Sequence, residues 1–231
     1  MTVISPRGMM GLFGTVLLSL MLNAAAYAQE ADAQKTYVAG KDYLVLEQPV
    51  HTRDPHKIEV VEVFWYGCPH CYHFDPLVNK WEQQQADDVD FWRSPAIWNG
   101  RMKVHAQMFY TAEALGIMKK MHHVMFTALV IERKPLAEEK QVEDLFAAHG
   151  VDREKFKQAY ESFGVKSQVS QADARARSYH IAGTPEMIVD GKYRVTAGLA
   201  GGQAQMLKIV DFLVTKERAA KEGAAKTAVA K

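Results

Sequence analysis

Cysteine is almost missing from this 231-residue chain, which has two, Cys68 and Cys71. Two thiols three positions apart cannot build the disulfide framework that staples small secreted domains, and a bridge across so short a loop adds little through chain entropy. A zinc ribbon lacks its second ligand pair. Charge of one sign is not in excess either: 28 basic side chains stand against 27 acidic ones, so no electrostatic footprint for nucleic acid or an anionic membrane is present. No internal repeat, phosphate-cradling glycine loop or long linker occurs. The apolar run Met9 to Met21 falls short of the roughly 20 residues that span a bilayer.

That run belongs to a segment that stands apart. Residues 1–28 carry Arg7 as their only charged side chain and end in Ala26-Tyr27-Ala28 before Gln29. This order predicts a secretory signal peptide cleaved between Ala28 and Gln29, with an uncleaved anchor as the alternative. Export would deliver the mature chain to an oxidising compartment. There, two cysteines with no architectural use are present for chemistry.

Hydrophobic periodicity predicts short strands over Tyr43–Glu47, Ile58–Tyr66 and Asp90–Arg93. A helix is predicted from Cys68 to Gln85, where Tyr72, Phe74, Leu77, Val78 and Trp81 repeat at near-helical spacing. Residues Lys103 to Phe163 read as three or four helices broken at Gly116, Lys134-Pro135 and His149-Gly150, and a further helix runs from Ser167 to Tyr179. Met187–Val189 and Tyr193–Thr196 flank Asp190-Gly191, a hairpin signal. A last amphipathic helix is predicted from Gln203 to about Arg218, followed by an Ala/Lys/Gly tail, 219–231, expected to be flexible.

The cysteines therefore sit where a strand turns into a helix. Pro69 suits the first helical turn, because the N–H it lacks would be unpaired anyway. Cys68 would face the free N–H groups and the positive end of the helix dipole, and a protonated His70 would add a cation nearby. A stabilised thiolate favours the dithiol state, so the disulfide becomes a better oxidant and Cys68 a better leaving group.

The segment Glu62-Val63-Phe64-Trp65-Tyr66-Gly67-Cys68-Pro69-His70-Cys71-Tyr72-His73-Phe74 resembles the DsbA group of the thioredoxin superfamily, and so do Gly183-Thr184-Pro185 and Asp190-Gly191-Lys192-Tyr193. The family's namesake is itself a standard case of a low-pKa cysteine and a strongly oxidising dithiol. On that point the resemblance and the electrostatics of the helix start are not independent. The resemblance implies an α/β thioredoxin fold with an inserted all-helical domain. It would place the thioredoxin domain at 36–98 and 168–218 and the helical insertion at 99–167. It implies a periplasmic disulfide donor acting on unfolded exported proteins with free thiols, with no cofactor beyond the Cys68–Cys71 disulfide, no metal, and reoxidation by a DsbB-like membrane partner. It further implies that Pro185 is a cis proline beside the disulfide, that Thr184 offers backbone bonds to bound peptide, and that Glu62 is a buried acid beneath the sulfurs able to take a proton from Cys71.

Thr184 departs from the pattern, since Thr before this proline is more like the DsbC and DsbG isomerases. Those enzymes carry a dimerisation domain for which the residues before Ile58 leave no room, which favours a monomer. A disulfide isomerase or reductase, and a peptide- or metal-binding module using Cys68, Cys71, His73 and His122 or His123, remain the competing readings. The alternative for Glu62 is that it faces solvent or pairs with Arg93, as most strand carboxylates do, and Glu59 reads as ordinary surface. Met118, Met121 and Met125 read as core filling. His122 and His123 are otherwise assigned no role.

Overall fold

A computed structural model describes residues 36–229; the expected signal peptide and its cleavage site at Ala28 and Gln29 lie outside the described residues. The chain divides into Met1–Tyr37 and Val38–Lys231, and the sheet, its helices and both cysteines belong to the second unit.

Five strands build the sheet: β1 (Leu44–Val45), β2 (Ile58–Phe64), β3 (Val89–Pro95), β4 (Glu186–Val189) and β5 (Tyr193–Thr196). Their order is β1-β5-β4-β2-β3. β2 runs parallel to β3, with Glu62 opposite Arg93, and antiparallel to β4. A strand covered on both faces needs apolar side chains throughout, and every residue of β2 is buried. That includes Glu59, contrary to the reading of it as surface. Its carboxylate accepts the Arg53 backbone N–H at 2.9 Å, which offsets the cost of burial. The β4–β5 turn places Asp190 (φ 50°) and Gly191 (φ 61°) in the left-handed region, as central residues of a turn closed by the Lys192 N–H on the Val189 carbonyl at 3.0 Å. A Cβ at Gly191 would lie 2.0 Å from the Val50 carbonyl oxygen, so only glycine fits.

Helix α1 (Pro69–Glu82) joins β2 to β3. Between β3 and β4 come α2 (Gly100–Ala114), α3 (Met118–Phe126) continuing into a π-helical turn at Thr127–Ile131, α4 (Glu139–Ala148), α5 (Arg153–Tyr160) and α6 (Phe163–Ser178). The expected breaks at Gly116 and Gly150 are positive-φ glycines, which end helices because they carry no Cβ. α6 starts at Phe163, ahead of the expected Ser167, because the Ser162 hydroxyl accepts the Val165 N–H and so caps the helix. α7 (Ala197–Ala200) and α8 (Gln203–Val229) complete the unit.

α8 corrects the tail expected from residue 219. The helix continues to Val229, since Ala and Lys are strong helix formers. Arg218 pairs with Asp88 at 2.6 Å, and Lys221 donates to the Pro55 carbonyl at 3.1 Å.

Candidate active site: the dithiol at the start of α1

Cys68 is the residue before the first helical position of α1, with φ −94° and ψ 115°, and Pro69 follows at the helix start. Both cysteines are thiols and both are buried, Cys68 at 8% exposure and Cys71 at 0%. The Cys68 thiol donates to the Thr184 carbonyl at 3.3 Å, and the Thr184–Pro185 peptide is cis, so the loop before β4 lies against the sulfur.

The two sulfurs are pushed in opposite directions. A hydrogen bond from Cys71 holds Cys68 down at about 5, against the opposing effect of burial, with help from Thr184 and the backbone N–H groups of Cys71 and His70. Those last two donors are the free amides of the helix start. Cys71 is pushed well above its ordinary value by burial, by its hydrogen bond to Cys68 and by the negative charges of Cys68 and Glu62. One sulfur is therefore a thiolate at neutral pH and the other keeps its proton. His70 is exposed, and its carbonyl accepts from Gln203 Nε2 at 2.6 Å. Its backbone N–H is one of the donors that lower Cys68.

Glu62 is buried away from solvent and paired with Arg93. The carboxyl is buried, and burial raises it to about 7 despite the opposing Arg93 guanidinium. It accepts from Arg93 Nε at 2.9 Å. Arg93 also donates to Asn79 at 2.8 Å and to Asp75 at 3.4 Å, while Asn79 donates to Asp75 at 2.9 Å. His122 closes the chain on α3: its Nε2 is 3.0 Å from Asp75 and its Nδ1 is 2.7 Å from the Tyr66 hydroxyl. Burial holds His122 below its ordinary value. On Asp75 burial acts upward, but the His122 hydrogen bond and the surrounding positive charges leave its carboxyl below the usual range. A neutral His122 then donates from Nε2 to an ionised Asp75 and accepts the Tyr66 proton at Nδ1. The network opens into a cleft of 830 Å³ lined by Asp75, Arg93, Glu113, Lys119, His122 and His123.

A second histidine that sequence reasoning passed over, His105 on α2, braces the other side of the motif. Trp65 Nε1 donates to His105 Nδ1 at 2.9 Å, and the opposite ring nitrogen meets the Pro135 carbonyl at 3.3 Å. Burial drives His105 down to about 4, so it is neutral and able to accept from the indole. Trp65 in turn lies over Gly67, where a Cβ would come within 2.3 Å of the ring. The only sequence signal for either histidine was a polar residue among the apolar positions of a periodic helix. Met121 and Met125 are fully buried in the core, and Met118 Sδ lies 3.8 Å from the Tyr66 hydroxyl. His73 is exposed. Among the described residues no three His, Cys, Asp or Glu side chains are grouped to hold a metal ion.

A family model described as a DSBA-like thioredoxin domain matches residues 87–209. The chain is similar to the thiol:disulfide interchange protein DsbA of Pseudomonas aeruginosa, at 44% identity over 89% of this chain and 97% of that protein. The protein of the same name from Azotobacter vinelandii is 41% identical over 90% and 98% of the two chains. The crystal structure of Pseudomonas aeruginosa DsbA superposes with a TM-score of 0.78 at 46% identity, covering 80% of this chain and 97% of that one. Oxidoreductase DsbA from Xylella fastidiosa gives 0.74 at 32% identity, covering 80% and 100%.

Proposed function

Because this chain belongs to the DsbA family of thiol:disulfide interchange proteins, we propose that Cys68 and Cys71 carry the disulfide it donates, and that it does so in the periplasm to newly exported proteins. The activity is that of a protein dithiol:disulfide oxidoreductase. The observation that carries the residue assignment is the opposite displacement of the two sulfurs at one helix start, Cys68 low and Cys71 high.

In the forward cycle a substrate thiolate attacks Cys68 Sγ of the disulfide. The S–S bond breaks, and Cys71 leaves as a thiolate that takes up a proton, with Glu62, whose charge acts on Cys71, as the acid that supplies it. A second substrate thiolate then attacks the substrate sulfur of the mixed disulfide, and Cys68 leaves as the stabilised thiolate. The substrate loses two electrons and two protons, and the enzyme's disulfide becomes a dithiol. Pro69 sets the helix start, His70 contributes its backbone N–H, and Thr184 and Pro185 form the edge along which the substrate backbone lies. Residues 1–28 serve as a signal peptide cleaved between Ala28 and Gln29. The mature protein is a monomer whose disulfide is restored by a DsbB-like membrane partner.

The test is the redox equilibrium of Cys68 and Cys71 against glutathione, together with the pH dependence of thiolate absorbance. A donor gives a strongly oxidising pair and a Cys68 titrating near 5. A thioredoxin-like potential, or a Cys68→Ser protein that still oxidises dithiol peptides, would overturn the assignment.

A further inference from the structure

The loop that carries Thr184 and Pro185 connects α6 to β4. Its amides at Ala182 and Gly183 precede β4 and lie outside the strand ladder. Both are taken by a side chain from within the strand they precede: Glu186 Oε1 accepts the Gly183 N–H at 3.0 Å and the Ala182 N–H at 3.4 Å. Glu186 is the first residue of β4, opposite Val63 on β2 and Thr196 on β5, and is 4% exposed. A carboxylate there is costly unless it is partnered.

Its partner stands on the neighbouring strand. Arg194 faces Ile188 across the β4–β5 ladder, one diagonal step from Glu186, and its Nε lies 3.5 Å from Glu186 Oε2, an ion pair in which these two buried atoms make no hydrogen bond. The same guanidinium donates through Nη1 to the carbonyls of Tyr179 and His180, where α6 ends. One ion pair thus holds both the outgoing carbonyls of the helix and the incoming amides of the loop. Immediately beyond these amides, the Thr184 carbonyl faces Cys68 Sγ at 3.3 Å.

We propose that the Glu186–Arg194 pair is a clamp on the 179–185 segment, and that Glu186 is a positioning residue for thiol–disulfide exchange. It touches neither sulfur. It fixes the backbone at Thr184 against which both Cys68 and an extended peptide substrate must align, so its contribution appears as proximity rather than as proton transfer. This rests on the reading of Cys68 as the exchanging sulfur.

The experiment uses the purified protein with Glu186→Ala, Glu186→Gln and, as a control for stability alone, Asp211→Asn. Asp211 accepts from Trp81 Nε1 at 2.6 Å, joining α8 to α1. The measurements are KM and kcat for oxidation of a two-cysteine peptide, and the thiolate titration of Cys68. Glu186→Ala should raise KM on the order of tenfold, with a smaller fall in kcat, and move the Cys68 titration upward as the Thr184 side chain, whose hydrogen bond helps hold Cys68 down, drifts away. Glu186→Gln keeps an oxygen acceptor for the two amides and should recover most of the loss. Asp211→Asn should change neither reading. Unchanged KM and titration in Glu186→Ala, or equal changes in Asp211→Asn, would overturn the clamp.

Hydrogen exchange in the unaltered protein decides the matter without a variant. The Ala182 and Gly183 amides should be protected although they lie in a loop, and free exchange at both refutes the proposal. An unaltered protein unable to oxidise the peptide would instead remove the donor reading, while the exchange result still decides whether the clamp exists.

Discussion

At the scale of single residues, the chemistry of Cys68 was legible because most of its causes are local. The strand, the proline, Cys71 and the missing amide partners of a helix start all lie within a few positions of the sulfur, and only Thr184 reaches it from far along the chain. Glu62 was half legible: a lone acid in an apolar strand announces itself, but whether it meets water or Arg93 depends on the register of β2 against β3, a strand distant in sequence. Glu59 was misread because most strand carboxylates face water, whereas this strand is covered on both sides. For Glu62 the pH consequence follows from its direction. The folded protein holds this carboxyl at about 7, above its ordinary value of 4.5, so between those values the folded state binds more protons than the unfolded one. Stability therefore falls as pH rises from about 4.5 to about 7. Glu62→Gln, which keeps an oxygen for Arg93 Nε, should flatten that slope and raise stability in mildly alkaline buffer by about 1–3 kcal/mol. Urea melts of both proteins across this range check it, and parallel curves would count against a raised carboxyl.

Among the elements, the helices of the insertion were readable as helices and largely unreadable as partners. Gly116 and Gly150 punctuate them in sequence and in space. Nothing in periodicity said that His105 on α2 reaches Trp65, 40 positions earlier, or that His122 on α3 reaches Asp75 on α1, because such pairings are set by helix docking. α8 shows the opposite error. Its Ala- and Lys-rich end resembles a disordered tail by composition, yet the same residues have high helix propensity, and Arg218 and Lys221 tie it down. The brace on α2 has a measurable weight. His105→Leu keeps much of the volume but leaves the Trp65 indole N–H without its acceptor, and an unsatisfied buried donor costs about 1–3 kcal/mol. Peptide oxidation should weaken along with stability, since Trp65 lies on Gly67 beside Cys68. A His105→Leu protein with an unchanged urea midpoint would show that the indole finds water instead.

For the molecule as a whole, the division into a thioredoxin domain and a helical insertion is a division of the chain more than of the core. Phe64, Tyr66, Cys68 and Cys71 from the sheet side share one buried cluster with Phe109, Met121, Met125, Phe126 and Phe146 from the insertion. Phe126 stands at that junction, its ring centroid 4.7 Å from Tyr66 and 5.8 Å from Phe64. The Glu62–Arg93–Asp75–His122–Tyr66 chain crosses the same boundary. A site built from both lobes cannot keep its geometry while one of them melts, so the two should unfold together. Thermal unfolding followed by helix content and by Cys68 thiolate absorbance should give a single coincident transition. Phe126→Ala should lower stability by about 3–5 kcal/mol and shift both signals equally. If the helical signal instead moved alone and left the thiolate in place, the insertion would be an independent domain and the dithiol would depend on the sheet and α1 only.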